Sequence, residues 1–256
     1  MDPRRRAIAL FDIDGTLTKP RSRISEDMKA FLLQLHNVVD IGFVGGASYA
    51  KHQDQLGVDL ISQTEYLFSQ NGTNAYRRNT LFHQINIKNL YSDVQLNTFI
   101  SCCLRYLSEL DLPIKRGLFI DFRSSMINIC PMGHNATSEE QAAFERYDRE
   151  HHVRAAMIDY LQKCFPDMHF VYLIGGQSSF DVFPEVSEAV VANKQGMDKT
   201  YCLQFLKDYD EIYFFGDKIH PGGNDYAIYN DARTKGYHVH GPEHTKSLCE
   251  SLFLRK

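Results

Sequence analysis

The 256-residue sequence has no apolar run long enough to cross a bilayer, no large net charge, no paired-cysteine spacing and no internal repeat. Each absence removes a class of function. After the basic start MDPRRR, the apolar stretch Ala7 to Phe11 stops at Asp12, too short for a secretory leader or a membrane span, so a cytoplasmic chain that meets no membrane is expected. With 28 Lys and Arg against 32 Asp and Glu, the formal net charge of −4 gives no general attraction to nucleic acid or anionic lipid. No nucleic-acid partner is expected, and any phosphate site has to be built locally. The six cysteines (Cys102, Cys103, Cys130, Cys164, Cys202, Cys249) show no CxxC pair and no metal-ligand spacing. A chain of this length needs no disulfide framework, so they read as reduced, buried small hydrophobes. What is present, 43% hydrophobic and 23% charged residues, suffices for a sizeable core in one large domain or two small ones.

Ala7 to Ile13 reads as a buried strand, and Ser25 as the N-cap of a helix whose Met28, Phe31, Leu32 and Leu35 recur at helical spacing. The run Val38 to Val44 ends in Gly45 and Gly46 and leads into a helical Tyr49 to Leu56, repeating the order strand, turn, helix. Near the other end EIYFFGD is a third buried strand ending in an acid, followed by KIHPGGND. Such units build a parallel sheet that binds ligands at the carboxyl ends of its strands. Between them lie a helical pattern from Asp93 to Leu110, the alternating runs LFIDFR and MINIC, a helical stretch from Ser138 to Cys164, and strands at HFVYLIG and SFDVFP. The expectation is an α/β protein with a discontinuous core, residues 1 to 83 plus 197 to 256, and an inserted α+β cap domain, residues 84 to 196.

The stretch LFDIDGTLTKPR puts Asp12 and Asp14 two places apart at a strand end, so alternation aims both toward one ligand. An ordinary carboxylate is ionised at neutral pH, and Asp nucleophiles form aspartyl phosphates, which makes Asp12 the candidate nucleophile. Its charge would repel an incoming phosphate unless a hard cation intervened. Mg²⁺ binds through one or two carboxylates plus phosphate oxygens, and Asp217, ending the third strand, can complete such a site. Asp14 would then protonate the leaving oxygen and deprotonate the attacking one. A lone acid pair at a strand end is more often a solvated turn.

The combination of a D-x-D-G-T motif after a buried strand, a later Lys, and a terminal G-D with N-D downstream resembles the haloacid dehalogenase superfamily. FDIDGTLTKPR, VGG, QLG, FRSSMINICPMG, GGQSSFDVFP, DKTYCL and FFGDKIHPGGND together resemble the eukaryotic phosphomannomutase family across nearly the whole chain. That resemblance implies a Rossmann-like haloacid dehalogenase core with an inserted α+β cap, and Mg²⁺ with a sugar bisphosphate activator. It also implies a homodimer formed through the cap domains, and interconversion of mannose 6-phosphate and mannose 1-phosphate toward GDP-mannose. By the same resemblance Asp12 is the nucleophile, Asp14 the acid/base, and Lys199 the cation that neutralises the transferring phosphoryl. Asp12, Asp14 and Asp217 go to the metal, and Tyr229, Asp231 and Thr234 to a peripheral ion. Arg21, Arg123, His134, Ser179 and Asp181 fall at the substrate-binding positions.

Three positions depart from the family pattern. His134 and Gln141 stand where the family has arginines, and Ala47 where it has a serine, with Ser48 next door as a substitute; EVSEAVVANKQ also lengthens the return from cap to core. A charge-assisted hydrogen bond contributes roughly 1.5 to 3 kcal/mol, so losing two costs about two to four powers of ten in binding. Three readings follow: a mutase with a modified phosphate clamp, a sugar phosphatase on the same core, and a member acting as a structural or interaction protein. The intact set Asp12, Asp14, Lys199 and Asp217 favours an enzyme. For the dimer, the helix stripe Phe99, Cys102, Cys103 and Leu107 has a face to bury, against a twin or against its own sheet.

Overall fold

In a computed structural model, the described residues are 6–20, 22–184 and 198–254. Contacts divide the chain into two compact units, Met1–Gln84 with Met197–Lys256, and Ile85–Gly196. No helix among the described residues is long and apolar enough to cross a membrane.

The first unit is built on a seven-stranded sheet. Its strands are β1 (Ala7–Phe11), β2 (Asp40–Val44), β3 (Tyr66–Ser69), β4 (Asn74–Arg77), β5 (Thr80–Gln84), β10 (Glu211–Gly216) and β11 (Thr234–His238). They run in the order β11-β10-β1-β2-β3-β4-β5. The five strands from β11 to β3 pair in parallel, and β4 and β5 close one edge as an antiparallel hairpin. Because side chains alternate, Ala9 and Phe11 join one apolar cluster with Met28, Phe31, Leu32 and Leu35 of the helix Glu26–Leu35, while Ile8 and Leu10 join another with Leu203, Leu206 and Ile228. The central strand β1 is thus covered on both faces, which is why it reads as an unbroken apolar run. Ser25 caps its helix as expected, accepting from the Met28 N–H at 3.2 Å.

The second unit carries a four-stranded antiparallel sheet in the order β6-β7-β9-β8, with β6 (Ile120–Phe122), β7 (Ile127–Ile129), β8 (Phe170–Gly175) and β9 (Ser179–Pro184). Ile127, Ile129, Phe180 and Val182 face a core shared with Leu96, Phe99, Cys103 and Leu107 of the helix Asp93–Glu109 and with Met157 and Leu161 of the helix Val153–Cys164. The stripe Phe99, Cys103 and Leu107 is therefore occupied by this unit's own sheet. That narrows the expectation, which left a twin and the unit's own sheet both open for this stripe.

The helical stretch Ser138 to Cys164 is corrected by the structure. It is two helices, Ser138–His151 and Val153–Cys164, broken at His152, whose φ of 52° lies in the left-handed region. The lengthened segment Val186 to Gln195 lies outside the described residues, as does Arg21.

Candidate active site

β1 ends at Phe11 and delivers Asp12 at its carboxyl end, where the Asp12 N–H donates to the Phe215 C=O of β10 at 2.9 Å. The parallel pairing of Phe11 with Phe215 thereby sets Asp12 beside the end of β10, and β10 runs straight into Asp217. Asp12 is 4% exposed. After it the chain doubles back tightly, with the N–H groups of Leu17 and Thr18 both donating to the Ile13 C=O. Gly15 sits in that turn at φ +86°, and a Cβ there would fall 2.7 Å from the carboxyl carbon of Asp217. Only glycine meets both demands.

Lys199 opens the 3₁₀ helix Lys199–Phe205, started by Asp198, whose carboxylate accepts from the Thr200 N–H at 2.8 Å. Its side chain is 1% exposed, and the ammonium is shared between Asp12 and Asp225, with 2.6 Å to Asp225 Oδ1. A solvated lysine would make neither contact. Asp225 is held in turn by the Lys218 N–H at 3.1 Å, and a Cβ on Gly216 would meet its carboxyl carbon at 2.7 Å.

Oxygens of Asp12, Asp217 and Asp225 lie within 4.8 Å of one another. Three carboxylates around one ammonium leave two uncompensated negative charges in a buried site. The protonation directions follow. Burial pushes the Asp12 carboxyl up; Lys199 opposes this, and Asp225 and Asp217 add to the rise. Burial likewise raises Asp217, helped by Asp225. For Lys199 burial works against the charged form, but Asp12 and Asp225 outweigh it and hold the ammonium above its usual range. Asp217 Oδ1 is buried and has no hydrogen-bond partner among the described residues. An orphaned carboxylate oxygen inside a site of excess negative charge fits a hard divalent cation.

Asp14 lies outside this three-carboxylate group. Its Oδ1 accepts from Gln55 Nε2 at 2.9 Å, and its backbone bridges to Thr18. Beside Asp217 lies a cavity of about 440 Å³ lined in part by Gly15, Thr18, Lys19, His238 and His240. Ser48, offered by the sequence as a substitute at Ala47, is the N-cap of the helix Tyr49–Leu56 and accepts from the Lys51 N–H at 3.4 Å. At the peripheral set, Thr234 Oγ1 donates to the Ile228 C=O at 2.5 Å, Asp231 Oδ1 accepts from the Arg233 N–H at 2.8 Å, and the Tyr229 ring packs over Gly236.

In the second unit, Ser179, Asp181 and His134 meet at one residue that the sequence reading passed over. Asn128 pairs with Asp181 in the β7–β9 register, and its Nδ2 donates to Asp181 Oδ1 at 2.6 Å and to Ser179 Oγ at 3.2 Å. Asn128 Oδ1 then faces His134, whose Nε2–H donates to it at 2.5 Å. Arg123 Nε donates to Asp121 Oδ2 at 2.8 Å. Gln141 is buried, with Nε2 donating to the Ala136 C=O at 3.1 Å. Burial raises the Asp181 carboxyl, against the Asn128 hydrogen bond and the Arg123 charge.

Asp225, Asn128 and Gln55 join these groups without having been named by the sequence reading, although N-D and QLG stood among its motifs. For Asp225 a signal existed, an acid closing the glycine-rich turn after β10 in PGGND. Asn128 and Gln55 act through partners tens of residues away, which no local spacing announces.

A model of the eukaryotic phosphomannomutase family matches residues 28–255. The chain is 45% identical over 249 residues to a phosphomannomutase of Dendrobium officinale, covering 97% of this chain and 95% of that protein. It is 44% identical over 253 residues to one of Galdieria sulphuraria, covering 99% and 97%. Among solved structures, a haloacid dehalogenase-like hydrolase from Bacteroides thetaiotaomicron superposes with a TM-score of 0.61 at 13% identity, over 97% of this chain and all of that one. A trehalose-6-phosphate phosphatase related protein gives 0.58 at 14%, over 96% of each. At such identities these two speak for the fold alone.

Proposed function

Because the chain belongs to the eukaryotic phosphomannomutase family, we propose that it interconverts mannose 6-phosphate and mannose 1-phosphate through a phosphoryl group carried on Asp12. The observation that carries this reading is the buried Asp12 at the carboxyl end of β1, clasped by an ammonium that it shares with Asp225. A carboxylate so placed is fixed in direction and dry, as a nucleophile aimed at phosphorus needs to be.

On the primed enzyme the free hydroxyl of the monophosphate bonds to the phosphorus carried on Asp12 as the bond from Asp12 to phosphorus breaks, and Asp14 takes the hydroxyl proton, leaving a sugar bisphosphate. The bisphosphate then presents its other phosphate, a carboxylate oxygen of Asp12 attacks that phosphorus as its bond to the sugar oxygen breaks, and Asp14 gives the proton to the departing oxygen. Lys199 offsets negative charge on the Asp12 side throughout. Asp12, Asp217 and Asp225 would hold Mg²⁺, which would supply further charge neutralisation at the phosphoryl oxygens. The metal role implied for Asp14 and a peripheral ion at Tyr229, Asp231 and Thr234 belong to the same reading. A sugar bisphosphate primes Asp12. The phosphate not being transferred falls to the cap, with Arg123, His134, Ser179 and Asp181 around Asn128, and with Arg21. The protein acts in the cytoplasm as a homodimer through the caps.

Arg123 is paired with Asp121 and Gln141 is turned inward, so this grip is weaker than two further arginines would make it. A weakened mutase that releases some inorganic phosphate is the result. The test is ³¹P NMR of mannose 1-phosphate with Mg²⁺ and a sugar bisphosphate. Growth of the 6-phosphate signal supports the mutase; inorganic phosphate alone replaces it with a phosphatase; no change in either defeats both. Chelation by EDTA should stop the conversion and re-addition of Mg²⁺ restore it.

A further inference from the structure

Gln55 lies in the last turn of the helix Tyr49–Leu56, 3% exposed, and is tied at its backbone, where its C=O accepts from the Ile24 N–H at 2.9 Å. Its Nε2 donates to Asp14 Oδ1 at 2.9 Å. The amide nitrogen faces Asp14, and the amide oxygen is turned away from it. That oxygen, Oε1, is buried and has no hydrogen-bond partner among the described residues. An orphaned buried acceptor is costly, and the fold keeps this orientation of the amide nonetheless.

We propose that Gln55 is the positioning residue for Asp14, orienting its carboxyl for proton exchange with the sugar. This rests on the mutase reading in taking Asp14 as the group that exchanges the proton. When the phosphoryl leaves Asp12, a sugar hydroxyl gives its proton to Asp14 as its oxygen bonds to phosphorus, and the pair of the Asp12–phosphorus bond returns to Asp12. When a phosphoryl passes back to Asp12, the electron pair of the broken bond goes to the sugar oxygen, which takes the proton of Asp14. A tilted Asp14 slows both steps. It leaves the attack of Asp12 itself intact.

Leaving-group dependence separates this role from a merely structural one. p-Nitrophenyl phosphate expels a phenolate that needs no proton, so the pre-steady-state burst of p-nitrophenolate reports Asp12 attack alone. In the Mg²⁺-loaded full-length protein, Gln55→Met should lower kcat with mannose 1-phosphate by roughly ten- to a hundredfold, raise KM a few-fold, and slow the burst less than about threefold. Gln55→Leu removes the donor without adding a titratable group, should show the same selectivity, and decides the matter if Gln55→Met does not fold. Equal losses on both substrates, or no loss on either, overturn the proposal. Failure of the mutase reading would show separately, as wild-type protein that gives the burst but never converts mannose 1-phosphate.

Discussion

The two polar sites of this molecule are built on opposite principles. In the core unit, Asp12, Asp217, Asp225 and Lys199 come from segments about two hundred residues apart and are packed so closely that Gly15 and Gly216 are needed to admit the carboxylates. In the second unit, Asn128, Ser179 and Asp181 sit on adjacent strands of one small sheet, His134 bonds to Asn128, and Arg123 pairs with Asp121. The first site is charged and dense, with little tolerance for change. The second is a chain of hydrogen bonds centred on one neutral amide. Charge is concentrated in the first and spread over separate pairs in the second.

The largest expected effect breaks the core. Asp12→Asn removes charge and nucleophilicity at nearly constant volume, so phosphoryl transfer should fall by at least about a thousandfold in the ³¹P assay while the circular dichroism spectrum stays that of the parent. Next is Lys199→Met, which leaves buried carboxylates without their cation. It should cost about 3 to 5 kcal/mol in a urea titration. By contrast, Arg123→Ala, removing a partly exposed ion pair, should cost less than about 1 kcal/mol. If the two variants are equally destabilised, the contrast between the sites collapses.

A gain of function sharpens the comparison from the cap side. Replacing His134 and Gln141 together by arginine should tighten mannose phosphate binding by roughly two to four powers of ten by calorimetry, since each planar charged donor contributes about 1.5 to 3 kcal/mol. The upper end is unreachable if the Gln141→Arg side chain keeps the buried contact that Gln141 makes with the Ala136 C=O. The burst with p-nitrophenyl phosphate should be unmoved.

A further effect is a pH dependence inside the core. His52 is buried, with Nδ1 3.0 Å from Ser69 Oγ, and burial pushes its pKa down to about 3. Unfolded, a histidine titrates near 6.5, so below that pH the unfolded chain takes up a proton that the native state refuses. The contribution of His52 is therefore complete above about pH 6.5 and is lost as pH falls toward 3, at about 1.4 kcal/mol per unit once well below 6.5. His52→Gln should flatten stability between pH 6 and pH 4.5, as measured by urea midpoints. An unchanged slope would mean that His52 is protonated in place.

Much of the core was legible because its features are local. Ser25 with Met28, Phe31, Leu32 and Leu35 reads as a capped amphipathic helix, and the apolar runs ending in Asp12 and Asp217 read as buried parallel strands. The edge hairpin was not legible. β5 is largely exposed and its turn depends on Arg78 and Asn79 at φ of 47° and 64°, so neither apolar alternation nor a glycine marked it. The break at His152 was hidden for the same reason, a non-glycine residue in a left-handed conformation within helical periodicity. By local pattern alone Lys199 reads as surface, and only the family resemblance singled it out before Asp12 and Asp225 claimed it in the fold, while Asn128 looked like a polar strand residue until β9 was paired beside it. Pairings between remote segments create both sites, and local spacing does not encode them.

The pairing of β1 with β10 also sets a clock. A ribosome adding roughly 5 to 20 residues per second exposes Asp12 early but delivers Lys199, Asp217 and Asp225 only about ten to forty seconds later. Throughout that interval the nascent chain holds a carboxylate with neither its lysine nor its companion acids. Until β10 has been made and has docked on β1, Asp12 has none of the buried partners that it meets in the folded unit.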